Sequence, residues 1–571
     1  MNSSRLKYEG WLYGLAFLLA LGFRLVQLGA APLADSEAQF ALQALQIAQG
    51  KATLLGPQPA YILFTSILFL VIESTNFMAR LAPALVGSLL VFAPYYFRER
   101  LHPRPALILA FLFAFDPGLT ALSRQASGTI FAVTFLLFAW GMWINGRAIP
   151  AGIFAGLALL SGPSIWSGVL MLGITFLFWQ GMKSNAKQDV MPDIRSAIIA
   201  LISTLILAGT LFLTTPHGLS ALFNSIPAYL KGWTAPSVFT PSRMLITFVG
   251  YEILGIFLAI FALIRGIRLQ SLRYIRWGIW LGVSLLVAIF YRQTSELAWV
   301  IIPLLVLAAR ELSQSFDIFL DERVEVSVVA GAILILLIYI WFNVANIGLN
   351  PYEQFTTTPL NLFNKSVNLP LGPRYIVLIG ASLILAVCII LVALGWSART
   401  ARLGTTWSFS LFLGIYALGA AWSASGVRLP TGVELWSPDQ PPTQAKLLTA
   451  SVNDISMLSS GHIDSQPVTI MGIQSPALEW ALRNHEVKVV SVLDPLNAPP
   501  IVITPLMNEL GLPSAYRGQD FTWRQAPLWD TIQPQAWIGW AVYRQLPRDT
   551  ETIILWARDD MFPDARQDTQ P

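Results

Sequence analysis

Apolar runs and short charged loops alternate along most of this chain. Runs of about twenty residues, enough to cross a ~30 Å hydrocarbon layer, recur roughly thirteen times before Ser425. They fall at 11–29, 80–97, 105–122, 128–145, 148–162, 165–181, 196–214, 243–264, 277–291, 296–310, 326–347, 373–396 and 405–424. The run 61–72 is apolar over about a dozen residues, short for a span and suited to a helix lying at the interface. Residues 37–49 carry Phe40, Leu42, Leu45 and Ile47 among polar positions, which predicts an amphipathic surface helix. After Ser425 the period changes: 468–473, 487–493, 501–504, 537–543 and 552–556 read as strands, and 476–484 as a helix. The expected architecture is an α-helical polytopic membrane protein of about thirteen transmembrane helices (1–424), followed by an α/β domain (425–571).

Composition agrees with this pattern. Of 571 residues, 55% are hydrophobic and 12% charged, with mean hydropathy +0.60, which excludes an ordinary soluble globular protein. Charge then separates the two parts: 1–424 carries 26 Lys+Arg against 16 Asp+Glu, and 425–571 carries 10 against 16. If 61–72 lies at the interface, alternate loops collect 17 basic residues on one side, Arg98, Arg100, Arg265 and Arg268 among them, and 8 on the other. The positive-inside rule then puts the N-terminus in the cytoplasm and the tail outside, in a multi-pass plasma-membrane protein. The one cysteine, Cys388, excludes disulfides, and four scattered histidines show no metal-ligand spacing. The chain shows neither the repeats nor the broken helices of a transporter.

The candidate chemistry lies in the first outer loop, 30–79. Asp35 and Glu37 open its first surface helix, where a helix cap and a favourable first-turn charge are the structural explanation and a general base is the functional one. Arg124, Lys231, Arg243 and Arg292 lie at outer membrane edges and are the candidates for binding a phosphate. Arg24 and Glu252 fall inside spans, and Asp116-Pro117 is placed to kink one.

Three segments resemble the GT-C superfamily of membrane glycosyltransferases, which includes the protein O-mannosyltransferases and lipid A aminoarabinose transferases. Asp35 with Ser36-Glu37-Ala38-Gln39-Phe40-Ala41 is similar to the acid motif that opens that family's first interfacial helix. Gly56-Pro57-Gln58-Pro59-Ala60-Tyr61 resembles the lead-in to its second, and Arg80-Leu81-Ala82-Pro83-Ala84-Leu85-Val86-Gly87 the start of its second span. The likeness covers roughly 8–310, without the tail. Two positions depart from the pattern: Ser36 stands where an aspartate is expected, and Gly128 where many relatives carry a second-loop acid.

The resemblance implies transfer of a sugar from a polyprenyl-phosphate donor to a lipid, glycan or protein acceptor on the outer face. Asp35, or Glu37, would be the base. No nucleic acid and no fixed cofactor are implied, and a divalent metal is left open. The alternative is a non-catalytic, flippase-associated membrane protein that keeps the fold.

Overall fold

The computed structural model describes residues 8–51, 53–180, 182, 192–215, 217–317, 322–349, 358–362, 365–369, 372–427, 433–494, 496–528, 532–533 and 536–562. The first loop and its surroundings comprise α1 (Glu9–Leu25), α2 (Asp35–Ala48), α3 (Pro59–Val71), α4 (Asn76–Leu89), α5 (Ala93–Tyr96) and α6 (Arg98–Leu101). The middle of the chain folds as α7 (Pro103–Phe115), α8 (Pro117–Ser123), α9 (Thr129–Ile144), α10 (Ala148–Leu159), α11 (Ser164–Gln180), α12 (Ile194–Gly209) and α13 (His217–Thr234). There follow α14 (Pro241–Arg268), α15 (Leu272–Tyr291), α16 (Leu297–Ser315), α17 (Arg323–Leu349), a hairpin of β1 (Thr358–Leu362) and β2 (Lys365–Leu369), α18 (Pro373–Gly395) and α19 (Ala398–Ala424). The tail holds α20 (Ala445–Ser460), β3 (Val468–Met471), α21 (Pro476–Ala481), β4 (Val487–Val490), β5 (Ile501–Pro505), β6 (Tyr516–Pro527), α22 (Ala536–Tyr543) and β7 (Arg548–Arg558).

Among the described residues, six helices are long and apolar enough to cross a membrane, or seven if α7 and α8 form one span broken by 56°. The pattern of apolar runs suggests thirteen. The difference lies mainly in α9 to α12, where turns divide the apolar sequence into helices of 12 to 17 residues. In addition, α16 is buried along almost its whole length, so it faces protein on all sides. Residues 215–242, expected as a loop, contain the 18-residue α13.

Both surface helices of the first loop form where the periodicity places them, and α3 buries more than an interfacial helix would. Tyr61, Ile62, Leu63 and Phe69 join the main core, and the Tyr61 hydroxyl donates to Ala79 O at 2.9 Å.

The break between α7 and α8 follows from Pro117, which cannot continue the helix. It leaves carbonyls at the end of α7 without helical partners. Buried Arg24 fills that role, donating to Phe113 O at 3.1 Å, Ala114 O at 3.2 Å and Ser123 Oγ at 3.1 Å. Asp116 Oδ1 caps α8 by accepting from Leu119 N at 2.7 Å. Buried Glu252 sits at a non-helical step inside α14 (φ −101°, ψ 19°).

The tail sheet has the order β4-β3-β5-β7-β6, parallel among β4, β3 and β5 and antiparallel at β7 and β6. Residues 537–543, read as a strand for their Trp, Ile and Val content, form α22 instead. The helical turn brings Trp537, Trp540 and Arg544 to one face. Trp540 is 1% exposed, packs on Tyr251 at 5.6 Å and donates from Nε1 to Val433 O at 2.8 Å. Trp480, Trp523 and Trp540 are all core residues of the tail.

Candidate active site at the first loop

The site begins with a clamp. Glu37, at the third position of α2, is 7% exposed and receives Arg80 Nη2 at 2.5 Å and Nε at 2.8 Å. It also accepts from Ala34 N at 3.1 Å and from Ala126 N, in the second loop, at 2.9 Å. Arg80 spends its remaining donors on Leu28 O, Ala31 O and Pro32 O. Burial alone would raise the Glu37 carboxyl. Arg80 and the two N–H donors outweigh burial and hold it below its ordinary value. Glu37 is therefore an ionised, fully engaged carboxylate that joins α2, α4 and the second loop.

Asp35 faces the other way, toward the tail. Its Oδ1 accepts from Ser475 Oγ at 2.7 Å and from Ala477 N at 2.9 Å, capping α21, and Oδ2 pairs with Arg524 of β6. Between them, Ser36 donates from N and Oγ to Asp439, at 2.8 and 2.6 Å. Burial pushes the Asp439 carboxyl up, the Ser36 donors oppose this, and the charges of Glu37 and Asp35 add to it. Asp439 and Arg524 have no signal in the sequence, because they lie 403 and 489 residues from their partners in α2.

The second loop has no room for an acid at position 128. Gly128 N donates to Gln58 Oε1 at 2.7 Å, and a Cβ at this residue would lie 2.1 Å from Ser161 O. Among the described residues no group of three His, Cys, Asp or Glu side chains could hold a metal. Two of the three acids here are already paired with arginine, so the residues do not fit a metal centre.

The four basic candidates divide. Arg124 is occupied, its Nη1 donating to Phe23 O, Arg24 O and Val26 O at the end of α1. The other three gather at one rim. Gly232, next to Lys231, packs on the Tyr291 ring, and Ser237 Oγ donates to Arg292 O at 2.6 Å. Arg243 is buried and lies 4.2 Å above the Phe239 ring. Arg292 caps α15 with φ +58°; its side chain and that of Lys231 are exposed. Glu296 does not pair with Arg292. It turns inward and accepts from Ser164 Oγ at 3.2 Å.

One linker joins rim and clamp. Trp436 O accepts from Thr294 Oγ1 at 2.9 Å and from Gln125 Nε2 at 3.4 Å, and Asp439 follows three residues later. At full chain extension, this places the Arg292 and Asp439 backbones within about 25 Å of each other.

Removing one partner of the Glu37–Arg80 clamp should be strongly destabilising. Glu37→Ala leaves a buried guanidinium without its counter-ion and is expected to cost about 3–5 kcal/mol, with part recovered in a Glu37→Leu/Arg80→Met pair. Thermal unfolding in detergent measures this. Because the Glu37 carboxyl is depressed, its contribution is complete above the unfolded value near 4.3 and is lost as pH falls through the lower folded value.

No protein-family model matches the chain, and no curated protein matches it in sequence. Solved structures do match in fold. ArnT from Cupriavidus metallidurans bound to undecaprenyl phosphate is 14% identical, with a TM-score of 0.51 over 97% of this chain and 99% of that one. The apo form of ArnT gives 0.50 at 14% identity, over 96% and 98%. The likeness runs beyond 8–310 and takes in the tail, which the sequence motifs do not reach. The chain therefore has the fold of ArnT, and its long apolar helices are those of a membrane protein.

Proposed function

We propose that the protein is a GT-C-type glycosyltransferase that moves a sugar from a polyprenyl-phosphate-linked donor to an acceptor at the tail side of the membrane. The observation that carries this reading is the convergence of Asp35, Ser36 and Asp439 at the first turn of α2, beneath Arg524 of the tail. The Asp35 side chain keeps 23% of its surface exposed, so a substrate hydroxyl can reach it, whereas Glu37 is enclosed. This accessible acid favours an enzyme over the non-catalytic alternative. In this reading 1–424 is the membrane part and 425–571 an extracytoplasmic domain that covers the site.

Asp35 accepts the proton of the acceptor hydroxyl as its oxygen attacks the anomeric carbon. The bond from that carbon to the phosphate oxygen breaks, and polyprenyl phosphate departs with the negative charge. Arg292, with Lys231 and Arg243 on the same rim, receives that phosphate, while Arg124 supports the loop by capping α1. Glu37 positions α2 and does not exchange protons.

Asp35→Asn should reduce transfer by about 10²–10⁴-fold while the protein remains folded in the membrane. The measurement is sugar release from polyprenyl-phosphate donors. Full activity in both Asp35→Asn and Asp439→Asn would remove the base from this loop.

Arg292→Lys should weaken donor binding by about tenfold or more, because an ammonium cannot reproduce the bidentate fork on phosphate. An unchanged donor affinity returns Arg292 to the role of interface anchor.

The basic bias of the loops favours a cytoplasmic N-terminus. Single cysteines placed at Gln58 and Arg100 should then label from opposite sides of sealed vesicles. Labelling from the same side would reverse the orientation.

A further inference from the structure

At the end of the bundle away from the tail, three helix ends surround a cavity of about 520 Å³. The tail contacts α14 near its start, where Trp540 meets Gly250 and Tyr251, and meets α16 through Trp436 at Ile301 and Gly118. The cavity is lined by the opposite ends: the start of α7, the turn from α14 into α15, and the last turns of α16. Along α16 alone, Ile301 and Arg310 are separated by about 14 Å.

Arg310 is the unusual residue here. It is only 9% exposed and lines the cavity, yet among the described residues its guanidinium has no carboxylate or carbonyl partner, and only the Tyr274 ring lies near, at 5.5 Å. A cation that deep is costly unless it is paired. Arg273 lines the same space and also lacks a protein acceptor among the described residues. The one acid lining the cavity among the described residues, Asp317, is taken by Arg104 at 3.0 Å. Among the described residues, the guanidinium charges of Arg310 and Arg273 therefore have no counter-ion.

The backbone adds to this field. Both α7, a 13-residue helix, and α15, a 20-residue helix, begin at the cavity, and neither first turn has a side-chain cap. Residues 103 and 105 are prolines and lack an N–H, so the first-turn amides outside the helical ladders are Arg104 N in α7 and Leu272 N and Arg273 N in α15, and the positive dipole ends of both helices lie at the cavity with them. The end of α16 opposes this weakly, since a partial charge there cannot match two guanidinium groups.

We propose that this cavity binds a phosphate group, held by Arg310 and Arg273 and by the backbone N–H groups of Arg104, Leu272 and Arg273. Its position at the helix ends suits either an anionic lipid headgroup or a free phosphate. The site is separate from the donor phosphate rim at Arg292 and does not depend on the transferase reading.

The test uses the full chain in phosphatidylcholine nanodiscs, at constant ionic strength. One arm titrates inorganic phosphate; the other compares nanodiscs doped with phosphatidic acid. Thermal unfolding and phosphorus NMR line broadening are the readouts. A rise in unfolding temperature with both probes identifies free phosphate as sufficient, and a rise with phosphatidic acid alone identifies the lipid headgroup. Arg310→Gln should weaken that response by about tenfold or more and leave the unliganded protein no less stable, because it removes an unpaired buried charge. Arg273→Ala, at an exposed position, should weaken the response as well and provides the answer if Arg310→Gln does not fold. No response to either probe, or an equal response in the variants, overturns the proposal.

Discussion

The buried pair between Glu37 and Arg80 is the constraint on which the first loop depends. Arg80 reaches back to three carbonyls at 28, 31 and 32, and Glu37 reaches across to the amide of Ala126. One ion pair thus sets the exit of α1, the start of α2, the pitch of α4 and the second loop. A charge pair this enclosed has little net stability to offer against well-packed apolar residues, so its value lies in fixing one geometry. Here the fixed geometry is the first turn of α2, where Asp35 and Ser36 project away from the clamp and toward the tail.

The tail is consequently part of the site. Asp35 receives the start of α21 and Arg524, Ser36 receives Asp439, and Trp480 and Arg483 hold Asn76 and Ser74 at the far end of the first loop. Ser36 has no carboxylate of its own, and Asp439 brings one to its hydroxyl from the linker. A site assembled in this way joins residues from both ends of the chain, so the membrane part alone would present Asp35 without its cation and α2 without its second acid.

That division explains what could be read from the sequence. The helices α2 and α3, the strands β3, β4 and β5, and the kink at Asp116-Pro117 follow from local periodicity and from proline, and all were legible. Asp35 and Glu37 were legible as a pair of candidates but not as opposites. Their separation into a clamp and an accessible acid depends on Arg80 and Arg524, and Arg524 is hundreds of residues away. The four apolar runs at 128–214 were legible as separate segments, with breaks at Gly146 and Gly162 (φ +73° and +109°), and what hydropathy did not register is that the helices in them, α9 to α12, run to only 12 to 17 residues. The strand expected at 537–543 failed for another reason. Its Trp and Val content suits a sheet, but docking Trp540 on Tyr251 and Gly539 against Gly348 requires a helical face. Gly128 looked like the loss of an acid, whereas the carbonyl of Ser161 leaves no space for any side chain there.

The charges inside the bundle follow the same logic. Arg24, Asp116 and Glu252 each answer a discontinuity in the backbone: Arg24 takes the carbonyls freed at the end of α7, Asp116 takes the free amide of α8, and Glu252 sits where α14 departs from helical geometry. The neighbouring residue, Tyr251, points from the same step in α14 to Glu434 and to the amide of Leu435 in the linker. A single kink in α14 therefore couples the interior triad to the linker that carries Asp439. The position of the second acid above α2 is then set by the packing of the membrane bundle as well as by the tail fold.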